Sequence, residues 1–297
     1  MKTGTQLPDV DLHGKVILLT GANSGIGKVT ALELAKMGAS LVLVCRNKEK
    51  GKEAVDEFVK KSGNSSIELI IADLLPQREV RRVASEFVAS HSRLDVLINN
   101  AGTNFPSFGV TEDGIEQTMA VNYFTPFLLT NLLLGVLEKS TPSRVVNVAS
   151  VGHFGGDLLL DNLTQDRRMG AQGFSAYQRS KLALVLFTYE LARRLDGKQV
   201  TANCLHPGTI RTNIWAHAGV ASPLTRFASL FMKSAEEGAR TSVYLASSPD
   251  VERVSGKYFD NRTPKRASEK TYDQSIALRL WEQSIIMTGL DEPVTRN

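Results

Sequence analysis

Short unbroken apolar runs alternate with stretches of helical periodicity along most of the chain. Val16-Ile17-Leu18-Leu19 is the first run and ends in Thr20-Gly21. Helical spacing of apolar residues follows from Ile26 to Met37, and Leu41-Val42-Leu43-Val44-Cys45 predicts a second strand. A charged amphipathic helix is predicted over Glu49 to Lys61, then a strand at Ile67-Glu68-Leu69-Ile70-Ile71. A helix over Arg78 to Ser90 leads to Val96-Leu97-Ile98. A long helix from about Gly114 to Leu137 precedes the fifth strand, Arg144-Val145-Val146-Asn147-Val148. A helix carrying Tyr177 runs to Leu195, and Val200-Thr201-Ala202-Asn203-Cys204 is the sixth strand. Continuous Val/Ile/Leu runs lack the polar alternation of a half-exposed strand, so each is buried on both faces. That pattern predicts an α/β fold, a parallel sheet flanked by helices on both faces. No linker-like tract or internal repeat interrupts it, so 1–297 is read as a single doubly wound domain.

Two segments break the rhythm. Residues 151–176 are rich in Gly, Asp and Gln and predict a long loop. Residues 209–234 hold Ile214, Trp215, Leu224, Phe227, Leu230, Phe231 and Met232. Connections of that length in a compact domain are lids or binding loops.

The bulk composition narrows the class. At 297 residues, with 42% hydrophobic and 22% charged residues, the chain reads as an ordinary globular protein. Its net charge of +4 is spread rather than clustered, which argues against a nucleic-acid groove. Cys45 and Cys204 both fall inside apolar strands and are expected to be buried free thiols. The five histidines (13, 91, 153, 206, 217) show no metal-ligand spacing, so no metal site is expected. No uninterrupted apolar run approaches the ~18 residues of a membrane span, and Met1 to Asp11 lacks a signal-peptide core. A cytoplasmic location follows as an expectation, with peripheral membrane contact left open.

Chemistry enters at the strand ends. Thr20-Gly21-Ala22-Asn23-Ser24-Gly25-Ile26-Gly27 hands the first strand over to the first helix. Gly21 permits the tight turn, Gly25 lets backbone approach a pyrophosphate, and Gly27 allows close helix–sheet packing. Phosphates would meet free N–H groups at the helix N-terminus. After strand two stand Cys45-Arg46-Asn47-Lys48, where an NAD enzyme carries an acidic residue for the ribose 2′-hydroxyl. A guanidinium there suits the 2′-phosphate of NADP(H). Tyr177 and Lys181 lie four apart and share one helix face. An ammonium at that range lowers a phenol's pKa by roughly 1–3 from near 10. Such a phenol, helped by a cationic nicotinamide ring, can exchange a proton with a carbonyl or alcohol oxygen while hydride moves to or from carbon.

Together these residues resemble the short-chain dehydrogenase/reductase family, from about Gly14 to Trp281, and imply its Rossmann-type domain. The cofactor half would span about 14–150 and the catalytic and substrate half about 151–297. The likeness adds Asp73-Leu74 after strand three, Asn99-Asn100-Ala101-Gly102 after strand four, Asn122, Ser150, and Pro207-Gly208 with Thr212 after strand six. It implies that Asp73 accepts from the adenine amino group and that Leu74 supplies the next backbone contact. Asn100, Ala101 and Gly102 would line the adenosine ribose. Lys181 would hold the nicotinamide ribose as well as tune Tyr177. Ser150 would donate to the substrate oxygen, a contact worth about a hundred- to a thousand-fold in rate. Asn122 would hold a relay water, and Thr212 would anchor the carboxamide. Asn23, Ser24 and Ile26 belong to the phosphate turn, and Asn47 to the 2′ side. Asn99 is read as a tether between strands, and His153 and His206 as structural histidines.

Within the family the chain resembles the retinol dehydrogenase-like branch. The carriers are Cys45-Arg46, Val121-Asn122, Leu128 to Leu133, Ser180-Lys181-Leu182-Ala183, and Glu190 to Leu195. Ser150 and Tyr177 stand 27 apart, a longer gap than most of the family has and one the branch shares. Thr125 replaces a glycine of the pattern, so local helix packing near Asn122 is expected to differ. The amino-terminal anchor of many animal members is not expected here.

These readings make a small apolar carbonyl or alcohol the expected partner, Trp215, Phe227 and Phe231 closing over it as a lid of about 209–234. Arg226 and Lys233 beside the apolar face of Phe227, Leu230 and Phe231 leave a lipid-facing reading open. Homodimer assembly stays open too. Two other functions compete: a non-catalytic NADP(H)-binding regulator, and a double-bond reductase of the protochlorophyllide type. No serine sits in a Gly-x-Ser-x-Gly elbow, which excludes a serine hydrolase of that kind.

Overall fold

A computed structural model describes residues 10–208 and 234–291. The six expected strands form: β1 (Val16–Thr20), β2 (Ser40–Cys45), β3 (Ile67–Ile71), β4 (Val96–Asn99), β5 (Ser143–Val148) and β6 (Val200–His206). All six pair in parallel, in the order β3-β2-β1-β4-β5-β6. Two short strands not marked by apolar runs extend the sheet beyond β6. β7 (Tyr258–Asp260) is parallel to β6, and β8 (Thr263–Lys265) turns back antiparallel. With three exposed residues, one of them Pro264, β8 is a blunt edge that offers little to another strand.

Helices cover both faces. They are α1 (Gly25–Lys36), α2 (Lys48–Ser62), α3 (Gln77–Ser90), the short α4 (Gln117–Met119), α5 (Thr125–Lys139), α6 (Phe174–Arg194), α7 (Ala235–Ser247) and α8 (Gln274–Thr288). Successive strand residues point to opposite faces, so β1 divides its side chains between two cores. Leu18 joins the layer of α3, α5, α6 and α8 around Phe87, Phe127, Phe187 and Trp281. Ile17 and Leu19 join the layer of α1, α2 and α7 around Leu34, Phe58 and Val243. Cys45 and Cys204 are free and buried, as the apolar runs implied.

Three expectations need correction. The helix expected from Gly114 begins only at Gln117, because Gly114 sits at φ +77° and the Glu116 carboxylate accepts from the N–H groups of Thr118 and Met119. This helix then widens into a π turn over Ala120–Phe124 before continuing as α5. Thr125 N–H donates five residues back, to Ala120, and Pro126 has no N–H to offer the Asn122 carbonyl. Residues 151–176 are not one open loop. They contain 3-10 turns at Val151–Gly155, Leu160–Asn162 and Ala171–Gly173, and α6 starts at Phe174. Finally, although no single apolar run is long enough, the combined helix Gln117–Lys139 is long and apolar enough to cross a membrane. Most of it is buried within the protein, as a core helix must be.

Candidate active site

Strand order reverses direction between β1 and β4, and the glycine turn lies in the crevice this opens at the carboxyl ends of the strands. Thr20 Oγ1 accepts from the N–H groups of Asn100 at 3.1 Å and Ala101 at 3.0 Å. In return Asn100 Nδ2 donates to the carbonyls of Thr20 at 2.8 Å and Gly21 at 3.1 Å. The turn and the β4 loop are thus one hydrogen-bonded unit. Gly27 permits it sterically: a Cβ there would stand 2.2 Å from the Gly21 oxygen and 2.4 Å from Asn100 Nδ2. At the start of α1, the Ser24 side chain makes no capping bond and the first turn holds no acidic residue. The leading N–H groups of α1 are left to an anion, so the residues present fit a dinucleotide phosphate.

Arg46 follows β2 and is exposed. Asn47 caps α2, its Oδ1 accepting from Lys50 N–H at 2.8 Å. Asp73, after β3, is exposed and accepts from Leu75 N–H at 3.1 Å. Leu74 is buried, and its carbonyl accepts from Thr125 Oγ1 at 2.7 Å. The threonine that replaces a glycine therefore ties α5 to the strand-three loop instead of disturbing it. Pro207 and Gly208 follow β6, with Gly208 at φ +92°. Thr212, Trp215, Phe227 and Phe231, with the rest of 209–233, lie outside the described residues.

Ser150, Tyr177 and Lys181 meet beside that crevice. Ser150 ends the β5 loop in extended conformation (φ −164°) and caps the Val151–Gly155 turn, its Oγ accepting from Gly152 N–H at 3.0 Å. Tyr177 hydrogen-bonds the Ser150 side chain. Gly152 packs so close that a Cβ would lie 3.2 Å from Tyr177 Cε1 and 3.4 Å from Ser150 Oγ. Lys181 is 4% exposed; its Nζ donates to the Val148 carbonyl at 2.9 Å and stands 5.7 Å from the centre of the Tyr177 ring. Burial draws the Lys181 ammonium down to about 8. Burial also pushes the Tyr177 phenol up, outweighing the Ser150 hydrogen bond that lowers it. The lowered phenol expected from the four-residue spacing is therefore not produced by protein groups alone, because desolvation dominates.

Asn122 sits inside the π turn. Its Oδ1 accepts from Thr103 N–H at 2.8 Å, and its Nδ2 donates to the Thr103 carbonyl at 2.8 Å and to Ser180 Oγ at 2.9 Å. A Cβ on Gly102 would lie 3.2 Å from Asn122 Oδ1 and 3.3 Å from Lys181 Nζ. Gly102, Asn122 and Lys181 therefore converge from three elements. Sequence reasoning missed Ser180, whose Oγ donates to the Tyr177 carbonyl at 2.7 Å and links Asn122 to the tyrosine helix. The signal was present, since residue 180 lies three after 177 on the same face. Asn99 is the tether expected, donating to Asn147 Oδ1 at 2.8 Å and Thr130 Oγ1 at 3.0 Å. His206 Nδ1 accepts from Val151 N–H at 3.1 Å.

Known proteins show which family the chain falls in. The family described as short chain dehydrogenase matches residues 15–160 and 164–221. Human retinol dehydrogenase 14 is 44% identical, covering 94% of this chain and 88% of that protein. Human retinol dehydrogenase 13 is 40% identical, covering 99% and 91%. An uncharacterised protein of Mycobacterium paratuberculosis superposes with a TM-score of 0.77 at 33% identity, covering 96% of this chain and 97% of its own. A short chain dehydrogenase of Escherichia coli solved with NADPH gives a TM-score of 0.67 at 26% identity, covering 86% and 100%. With its doubly wound sheet, glycine turn and buried Ser/Tyr/Lys set, the chain belongs to the short-chain dehydrogenase/reductase family of oxidoreductases, in its retinol dehydrogenase-like branch.

Proposed function

We propose that this protein is an NADP(H)-dependent oxidoreductase that interconverts a carbonyl and an alcohol on a bulky apolar substrate of the retinoid, steroid or lipid-like class. The observation that carries this reading is the meeting of Ser150, Tyr177 and Lys181 beside the glycine turn. The α1 N-terminus and the turn Gly21–Gly27 would hold the pyrophosphate, Arg46 the 2′-phosphate, Asp73 and Leu74 the adenine, and Lys181 the nicotinamide ribose. When bound, the cofactor supplies or accepts the hydride. Ser150 Oγ holds the substrate oxygen by donating to it, while Tyr177 hands that oxygen its phenolic proton or takes one back. Burial keeps the phenol protonated, which suits it to the proton-donating role. Asn122 would hold the relay water, a role supported by its bonds to Thr103 and Ser180 and its convergence with Lys181 at Gly102.

Two features support the substrate class. The turn that starts at Ser150 leaves the apolar side chains of Val151 and Phe154 half exposed. The relatives named above are retinol dehydrogenases. The test is turnover of all-trans-retinaldehyde and of a small sugar aldehyde with NADPH, followed at the nicotinamide absorbance. Tyr177→Phe should bind NADPH within a few-fold of the parent and lose about 10²–10⁴-fold in rate, the usual contribution of a general acid. Binding of NADPH with no turnover of any carbonyl would instead make the chain a cofactor-binding regulator.

A further inference from the structure

His153 has no part in the chemistry above, yet it is completely buried three residues after Ser150. Its ring packs against Phe154, with centroids 4.2 Å apart, and against Tyr258 of β7, at 4.7 Å. His153 Nδ1 is 2.6 Å from the Ser150 carbonyl, and His153 N–H donates to that same oxygen at 3.2 Å. On the far side of the ring, Ser268 N–H points at Nε2 from 3.1 Å. Both partners are backbone groups of fixed polarity. A carbonyl can only accept, so Nδ1 carries the hydrogen; an amide N–H can only donate, so Nε2 carries the lone pair. The imidazole is therefore neutral and in one tautomer.

We infer that His153 is a positioning residue, fixing the Ser150 backbone and hence its hydroxyl, and clamping residues 266–272 onto the catalytic turn. Ser150 Oγ has a short lever: it caps the turn that His153 closes, and it meets the Tyr177 phenol. The clamped segment includes the 3-10 turn Glu269–Tyr272. It has a second, outer fastening where Lys270 Nζ donates to the Gly156 carbonyl at 3.0 Å and to Asp157 Oδ1 at 3.1 Å. Tyr272 also packs on Tyr189 of α6, ring centres 5.6 Å apart. The imidazole thus joins the hydroxyl that holds the substrate oxygen to a C-terminal segment lying against the same turn.

This inference rests on the oxidoreductase reading, so the experiment separates the two. His153→Asn keeps a donor near the Nδ1 position and loses the acceptor for Ser268; His153→Ala loses both. With the parent turning over retinaldehyde, His153→Ala should lose up to about a hundred-fold in kcat, the cost of a misplaced catalytic group. His153→Asn should recover kcat to within a few-fold while KM stays raised, because the segment is unclamped. NADPH affinity should be unchanged in both. Equal kcat losses in the two variants, or a His153→Ala kcat within twofold of the parent, overturns the inference while leaving the oxidoreductase reading intact. A measurement independent of activity is ¹⁵N NMR of labelled histidine, which should show His153 as the neutral Nδ1–H tautomer at pH 7. An Nε2–H tautomer overturns the inference even if the protein turns over nothing.

Discussion

Lys181 meets the Val148 carbonyl in a pocket where burial is what draws its ammonium down to about 8. An unfolded lysine titrates near 10.5, so between those values the unfolded chain binds more protons than the folded one. Stability then rises with pH from about 8 to 10.5, and below 8 the charged lysine costs on the order of 3 kcal/mol. Lys181→Met should accordingly unfold at a higher urea midpoint than the parent at pH 7, and the gain should shrink as pH approaches 10. A constant difference across that range would mean that burial does not set the charge. At Arg46 the proposed role predicts cofactor choice. A charge-assisted contact to a 2′-phosphate is worth about 1.5–3 kcal/mol, or one to two decades in affinity. Calorimetry should show NADPH bound tighter than NADH by that factor, and Arg46→Asp should reverse the order.

At the scale of elements, the π turn Ala120–Phe124 and the start of α5 form the shoulder on which Asn122 sits. Thr125 fixes that shoulder by donating to the buried Leu74 carbonyl. Thr125→Val preserves the shape and removes the donor, which should cost about 1–3 kcal/mol for the carbonyl left unpaired. The urea midpoint should fall with no change in slope, since the surface exposed on unfolding is unaltered. The insertion between Ser150 and Tyr177 is fastened differently, through a buried arginine on the tyrosine helix. Arg179 donates to the carbonyl of Asp166 at 3.1 Å and also bonds the carbonyl of Arg168. Its Nε faces the Asp166 carboxylate at 3.4 Å, with both side chains about 5% exposed. The residues between Tyr177 and Lys181 are thereby not spacers: Arg179 holds the insertion and Ser180 holds Asn122.

For the molecule as a whole, substrate choice is the property with the widest reach. An apolar site gains about 0.8 kcal/mol per buried methylene, so kcat/KM should climb roughly three- to four-fold per carbon along a straight-chain aldehyde series. The rise should level off when the pocket is filled. A flat series, or faster turnover of small polar carbonyls, would defeat the apolar-substrate reading.

The six strands and the turn between β1 and α1 were legible in the sequence because they are local. A Val/Ile/Leu run and a glycine cluster carry their conformation in neighbouring residues, and Tyr177 and Lys181 are related by helix periodicity alone. The capping box at Ser234 and Glu237 that starts α7 is equally local. What the tertiary structure decided is what depends on distance in the chain. Asn100 braces the glycine turn across 79 residues, Thr125 reaches Leu74 across 51, and Ser268 meets His153 across 115. No pattern near His153 reveals that its two nitrogens face backbone groups of opposite polarity. The charge state of the site was hidden for the same reason: helix spacing brings an ammonium near a phenol, but burial sets both pKa values, and burial belongs to the packed whole.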